Sequence, residues 1–291
     1  VTTGTLRVEK SELLDIFTYP AGETQVRLTE AGVKFVQRCG RLNVIANIYN
    51  AQHHINTLLT LNALDGILAP GQGHLFLPYL PYSRADRRFC PGDCLGLVMF
   101  FDALRSDVIF DAYTLDAHSA IAEKYGVVNI SPLPLIKRSI VDFARRNNTK
   151  SVTVLYPDRG ASERYTLTGH INCNTDGVTV NVLHCSKRRN PVTGKLEGFD
   201  VPGKESFADS AVLIVDDICD GGGTFVGIAD SLAGYGLTLG LYVTHGIFSK
   251  GFGELNERFD HIYTTNSFPE KGPKDLVTTY DAVGLMLEAT R

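Results

Sequence analysis

Apolar and polar positions along the chain fall into a repeating order of apolar run, polar turn and amphipathic stretch. The runs LNVIAN (42–47), GHLFLPYL (73–80), SVTVLYPD (151–158), AVLIVDD (211–217) and LTLGLYVTHG (237–246) are nearly continuous in apolar character. Short runs of this kind, bounded by turn residues, predict strands buried on both faces of a parallel sheet. DVIFDAYTLD (107–116), TVNVLHC (179–185) and DHIYTTNS (260–267) read as further strands. Helical spacing is found around His54–Leu64, in LGLVMFFDAL (95–104), in IKRSIVDFARRNN (136–148), in FVGIADSLAGYG (225–236) and in the terminal YDAVGLMLEATR (280–291). Strands alternating with helices define an α/β chain. The Pro-rich SPLPL (131–135) separates two halves of similar rhythm, and a proline disfavours helix in the residue before it. Two tandem lobes are expected, 1–133 and 134–291, each a mostly parallel sheet flanked by helices, with the terminal helix in the second.

Composition narrows the class. The 291 residues, 44% of them hydrophobic and 21% charged, suffice for cores in domains of roughly 150 residues. A net charge of −4 offers no general attraction for nucleic acid or an anionic membrane. No apolar run reaches the ~18–20 residues of a membrane-crossing helix, and the N-terminus lacks the basic-then-apolar order of a signal peptide. Of the 6 cysteines, the only close pair, Cys90 and Cys94, has no second pair or nearby His at zinc spacing. Reduced thiols in a cytoplasmic protein are the expectation.

In such sheets ligands bind beyond the carboxyl ends of the strands. The densest chemistry lies in AVLIVDDICDGGGTF (211–225). There a buried strand delivers Asp216 and Asp217, then Asp220, then Gly221, Gly222 and Gly223, with Thr224 opening a helix. Glycines let backbone N–H groups approach an anion, and a helix N-terminus adds a favourable dipole. Adjacent carboxylates suit the vicinal hydroxyls of a ribose, and the glycine turn suits its 5-phosphate. The Lys-Ser/Thr of a nucleotide P-loop is missing. Elsewhere, His118 follows a strand two positions after Asp116, and Asp158 ends the first strand of the second half. An imidazole and a carboxylate can hold a divalent ion that bridges phosphates. Lys187, Arg188 and Arg189 form a cationic run after a strand, either a solvated loop or a lid that brings positive charge to a phosphoryl group in transfer.

VDDICDGGGT (215–224) resembles the phosphoribosyl-pyrophosphate loop shared by phosphoribosyltransferases and ribose-phosphate pyrophosphokinases (PRPP synthetases). The remaining motifs resemble the synthetases: LPYLPYSRADRR (77–88), LDAHSA (115–120), YPDRGASER (156–164), SKRRN (186–190), VTHGIFS (243–249) and TTNSFP (264–269). They occur in the family's order and cover most of the chain, whereas a simple phosphoribosyltransferase would account for one half. The resemblance implies an ATP-dependent pyrophosphokinase with two phosphoribosyltransferase-like lobes and one active site shared between them. It implies Mg²⁺ at His118 and Asp158, catalytic roles for Lys187 and Arg189, and nucleotide contacts from Arg84, Asp86 and Arg87. FTYPAGETQVRL (17–28) is similar to the family's adenine segment, placing Tyr19 as a stacking ring and Glu23 as a hydrogen-bonding carboxylate. That segment reaches a neighbouring subunit's site in the family, which implies a homo-oligomer. The other histidines are expected to be structural, with His245 the one nearest the chemistry.

Three departures bear on the substrate. Ala21 stands where the family has Asp or Asn, and Ala85 replaces a polar residue after the Arg. Gly221 and Gly222 replace a Thr-containing pair in the phosphate loop, which opens space around the 5-phosphate. The sequence also stops soon after the terminal helix, without the family's usual tail, so allosteric control of the larger enzymes' kind is not expected. Ribose 5-phosphate is the expected acceptor. A ribose extended at its 5-position, such as ADP-ribose in an NAD-rebuilding pathway, is the alternative. A non-catalytic regulatory paralogue is a further one, against which the presence of His118, Asp158, Lys187, Arg189 and the three loop acids counts.

Overall fold

The computed structural model describes residues 2–9, 11–104, 106, 108–166, 177–189, 196–203, 210–269 and 272–291. They form two compact units, Val1–Ile130 with Ala282–Arg291, and Ser131–Asp281.

The first unit runs through β1 (Thr3–Arg7), β2 (Leu14–Thr18), β3 (Thr24–Leu28), α1 (Glu30–Gln37), β4 (Arg41–Ile45), α2 (Ala51–Asp65), β5 (Gly73–Leu77), α3 (Gly96–Ala103), β6 (Ile109–Leu115), α4 (Ile121–Lys124) and β7 (Val127–Ile130). Five strands pair in parallel in the order β1-β4-β5-β6-β7. β4 and β5 are buried along almost their whole length, while β1 alternates between exposed and buried positions as an edge strand does. Leu42, Val44, Leu75 and Leu77 form the core with Leu61 and Leu64 of α2 and with Leu97 and Phe100 of α3. β2 and β3 make a separate antiparallel hairpin. β1, the hairpin, α1, α4 and β7 fall outside the sequence expectation, because each is short and only partly buried.

The second unit begins with α5 (Leu133–Arg146), followed by β8 (Ser151–Tyr156), α6 (Arg159–Thr166), β9 (Thr179–His184), β10 (Ser186–Arg189), β11 (Leu196–Asp200), β12 (Ala211–Cys219), α7 (Gly223–Ser231), β13 (Thr238–Gly246), α8 (Gly253–Asn256), β14 (His261–Thr265) and β15 (Val277–Tyr280). Pro134 sits in the first turn of α5, where the missing N–H breaks no helical bond, so SPLPL starts a helix. A six-stranded parallel sheet has the order β15-β14-β13-β12-β8-β9. From β8 the chain steps one way to β9 and later returns on the other side to β12. The sheet therefore changes winding direction between β8 and β12, the place where such sheets bind ligands.

One expectation needs correction. The terminal helix α9 (Ala282–Ala289) groups with the first unit and not with the residues that precede it. Its Ala282, Val283 and Met286 bury against Ile45, Phe76, Tyr113, Leu115 and Ile130, on a face of the first sheet that needs an apolar cover.

Burial pushes the pKa values of three histidines down: His54, His74 (helped by Arg41, opposed by Asp111) and His261 (helped by Arg146, opposed by Asp142). The folded chain keeps them neutral where the unfolded chain, with His near 6.5, takes up protons. Their stabilising contribution is complete above about pH 6.5 and is lost as the pH falls from there. The urea midpoint should therefore drop between pH 7.5 and pH 5.5, and His261→Gln should flatten that slope. A midpoint constant over this range would contradict the assignment.

Candidate active site

In the second unit the acid–glycine segment follows directly from the strand pattern. Ala211 to Val215 of β12 are buried, and beyond them burial alternates, with Asp217 and Cys219 inside and Asp216, Ile218 and Asp220 partly exposed. Pairing with β8 stops at Ile214, whereas pairing with β13 continues to Cys219, so the acids project past the end of β8. Asp217 is 3% exposed and takes an ion pair from Arg164 of α6 at 2.8 Å, while Arg164 stands 3.9 Å from Asp216. Burial and the neighbouring Asp217 raise the pKa of Asp216 well above the carboxylate range, with Arg164 opposing them. The Asp216 carboxylate also accepts the Asp217 N–H at 2.9 Å.

Asp220 is held from the next strand's loop. Ser249 donates its hydroxyl to Asp220 Oδ1 at 2.7 Å and its N–H to the Asp220 carbonyl at 3.0 Å. Gly222 then adopts φ 79°, ψ −8° and becomes the N-cap of α7 without any side-chain cap. A left-handed residue here turns the chain from strand to helix. Phe225 and Val226 both donate to the Gly222 carbonyl at 3.0 Å, which starts the helix; a helix N-terminus without a side-chain cap is suited to an anion.

Asp158 caps α6: its Oδ1 accepts the Ala161 N–H at 3.0 Å. Burial, with Asp158 and Asp200 adding to it, pushes the Cys185 thiol up to about 12; this is an inert, protonated sulfur. Lys187 and Arg189 lie on β10, registered opposite Phe199 and Leu196 of β11. The ribbon is anchored by Phe199, which shares a core with Phe225 and Ile228 of α7. The cationic run is thus strand, not loop, and Asn190 lies outside the described residues. His245 is buried, with Nδ1 2.8 Å from Ser267 Oγ, and His170 lies outside the described residues.

In the first unit, β2 and β3 present the loop 19–23, closed by hydrogen bonds from Tyr19 N–H to the Glu23 carbonyl and from Gly22 N–H to the Tyr19 carbonyl, both 2.8 Å. Tyr19 is 46% exposed at its tip, edge-on to Phe17, and Glu23 is exposed beside it. After β5, Arg84 and Arg87 are exposed while Asp86 is buried. Arg87 Nε reaches Asp86 Oδ1 at 3.0 Å. Burial works against the Asp86 carboxylate, but hydrogen bonds from Arg87 and Ser119 outweigh it and hold its pKa below the usual range. His118 follows Asp116, a buried residue at φ 48°.

Arg164, Ser249 and Lys250 adjoin the acid–glycine segment and were not singled out by the sequence pattern. Arg164 was visible only as part of YPDRGASER, and nothing in its spacing announced the partner on β12.

The class of the chain, a transferase of the ribose-phosphate diphosphokinase type, rests on its similarity to known proteins. No family model matches the chain. Ribose-phosphate pyrophosphokinases of Pyrococcus abyssi (28% identical over 281 residues, 92% of this chain and 88% of that one) and Thermococcus kodakarensis (29% over 265 residues, 88% and 86%) are similar along nearly the whole length. That of Aquifex aeolicus is 28% identical over 260 residues, 87% of this chain and 78% of its own. A phosphoribosylpyrophosphate synthetase from Mycobacterium smegmatis shares the fold, with TM-score 0.75, 19% identity and coverage of 99% of this chain and 97% of that one. The chain is a divergent relative of the ribose-phosphate pyrophosphokinase family and an enzyme of the ribose-phosphate diphosphokinase type. No described helix is long and apolar enough to cross a membrane.

The left-handed Gly222 is the most exacting backbone position of the loop. A Cβ there would be strained by φ 79° and would meet Leu255 Cδ2 at 3.3 Å. Gly222→Ala should lower stability by about 1–2 kcal/mol in chemical denaturation, and should lower activity by more than that loss of folded protein explains.

Proposed function

We propose that the chain transfers the β,γ-diphosphoryl group of ATP to the anomeric 1-hydroxyl of ribose 5-phosphate, giving PRPP and AMP. The observation that carries this reading is the strand–loop–helix at 216–224, where partly exposed carboxylates stand next to an uncapped helix N-terminus opened by Gly222. Carboxylates accept the sugar's hydroxyl protons, and the N–H groups of the Gly221–Thr224 turn receive its 5-phosphate. Asp216 and Asp220 hold the sugar, and Asp217 acts on it through Arg164.

The attacking 1-hydroxyl and the β-phosphorus must be held in line, since positioning supplies much of the acceleration in phosphoryl transfer. Lys187 and Arg189 provide the positive charge that the transferring group needs in the transition state. In the first unit Arg84, Asp86 and Arg87 contact the nucleotide's phosphates, Tyr19 stacks on its base and Glu23 accepts a hydrogen bond from it. The cation enters with the co-substrate as Mg·ATP. His118 in the first unit and Asp158 in the second are assigned to it. Carboxylate oxygens suit so hard an ion, and the crowding of Asp216 against Asp217 marks a place where added positive charge relieves repulsion. The exposed Tyr19 hairpin supports a homo-oligomer in which that loop serves a neighbouring copy.

A second acceptor is favoured by one feature. A Cβ on Gly223 would meet no atom within 4 Å, so the turn leaves room for a group beyond the 5-phosphate, as in ADP-ribose. AMP release from Mg·ATP with each acceptor in turn separates the two. Ribose 5-phosphate should be much the faster, and faster turnover of ADP-ribose would transfer the assignment to the extended ribose. Lys187→Ala should depress kcat at least about 100-fold while Mg·ATP binding, followed by calorimetry, is largely kept. Lost ATP binding with unchanged kcat would contradict the role given to Lys187.

A further inference from the structure

Lys250 lies in the loop after β13, and that loop is stapled to the end of β12. Ile247 and Phe248 donate their N–H groups to the Cys219 carbonyl at 2.9 and 3.1 Å, and Ser249 bonds Asp220 through both its N–H and its hydroxyl. Phe248 at φ 47° and Gly251 at φ 74° close the loop, with the Gly251 N–H on the Phe248 carbonyl at 2.8 Å. The staple lays the Lys250 side chain across Gly221: a Cβ on that glycine would stand 3.3 Å from Lys250 Cε, 3.4 Å from Cδ and 3.6 Å from Cγ. The lysine stem thus packs directly beside Gly221, against the position that a Cβ there would take. Lys250 is exposed, and its ammonium has no carboxylate partner among the described residues.

From this packing we propose that Lys250 is a specificity-determining residue that binds the phosphoryl group at C5 of the acceptor, from beside Gly221. The proposal rests on the reading of the 216–224 loop as the acceptor's site. A compact ammonium on a flexible stem is a point charge for phosphate. Packed beside Gly221, it stands next to the uncapped N-terminus of α7, which the proposed reading gives to the same phosphate. The acceptor class follows from the charge: a sugar with a phosphoryl group at C5, monoester or diester, and not the free sugar. Because the lysine meets only this group, its effect belongs to acceptor binding and not to the nucleotide or the chemical step.

The test is acceptor kinetics of the full chain. Lys250→Ala should raise KM for ribose 5-phosphate about tenfold or more, leave KM for Mg·ATP within about twofold and change kcat little, while Lys250→Arg recovers most of the loss. Gly221→Ala should raise the same KM by pushing the stem aside. In the double variant Gly221→Ala with Lys250→Ala the two effects should not add, because both act on one contact. Calorimetric binding of ribose 5-phosphate to the parent and to Lys250→Ala accompanies the kinetics. If the parent turns over or binds ribose 5-phosphate and Lys250→Ala matches it, the Lys250 proposal alone falls. If the parent does neither, with ribose 5-phosphate or with ADP-ribose, the acceptor reading falls and the role of Lys250 with it.

Discussion

β12 is hydrogen-bonded to β8 through Ala211–Ile214 and to β13 through Ala211–Cys219, and from Ala211 to Val215 every residue is buried. Parallel pairing on both sides leaves these residues no route to water and admits only apolar side chains. The strand can therefore carry charge only where one neighbour has ended. β8 ends first, and Asp216 and Asp217 occupy the step that it leaves. All the later features of the second unit depend on this stagger: the ion pair from α6, the glycine turn into α7, and the loop after β13 that closes over the end of β12.

The stagger also creates an electrostatic problem that the structure solves locally. Two successive carboxylates at the end of a buried strand repel each other and lose hydration, and the raised pKa of Asp216 expresses both effects. Arg164 meets the more buried of the two, Asp217, at 2.8 Å. An unpaired buried carboxylate there would be strongly destabilising, so the pair is a condition for placing acids at this position at all. Asp217 is consumed structurally in the process, and the partly exposed Asp216 and Asp220 remain for a ligand. The chain's net charge of −4 conceals this local arrangement, in which acids and a guanidinium are concentrated at one end of one sheet.

The parts of this fold that were legible beforehand are those where burial alone sets the residue types. AVLIV, SVTVLY and LTLGLYVTHG announce central strands because only apolar side chains survive there, and the acids followed by glycines announce the turn because few other residues can make it. The hairpin at 14–28 was less legible: its strands alternate weakly, with Ile16 and Val26 packing on one side and Asp15 and Arg27 in water. The cationic run at 186–189 read as loop because basic residues are poor strand formers, yet its backbone pairs with β11, whose Phe199 reaches the core. The position of the terminal helix was not legible, since its apolar stripe fits any sheet face, and only the apolar Ile45–Phe76–Tyr113 face of the first sheet, which it covers, determines where it packs. Arg164 escaped for a related reason: the partner of a salt bridge is chosen by tertiary geometry and leaves no periodic trace.

The 247–251 loop shows why substitutions in such a site have to be read in pairs. Taken alone, Gly221 is a loss, since a hydroxyl at that position could donate a hydrogen bond to a phosphate. Taken with Lys250 it is a condition, because the lysine stem lies within 3.3–3.6 Å of where any Cβ would be. A side chain at 221 would press on the observed path of the Lys250 stem, which would have to shift by a few tenths of an ångström. The exchange replaces a short neutral donor fixed on the turn by a long charged one fixed on a neighbouring loop. A charged donor binds phosphate more strongly and tolerates more variation in where the phosphate sits. On the proposed reading the two positions exchange one phosphate donor for another, and that exchange is not visible from either residue alone.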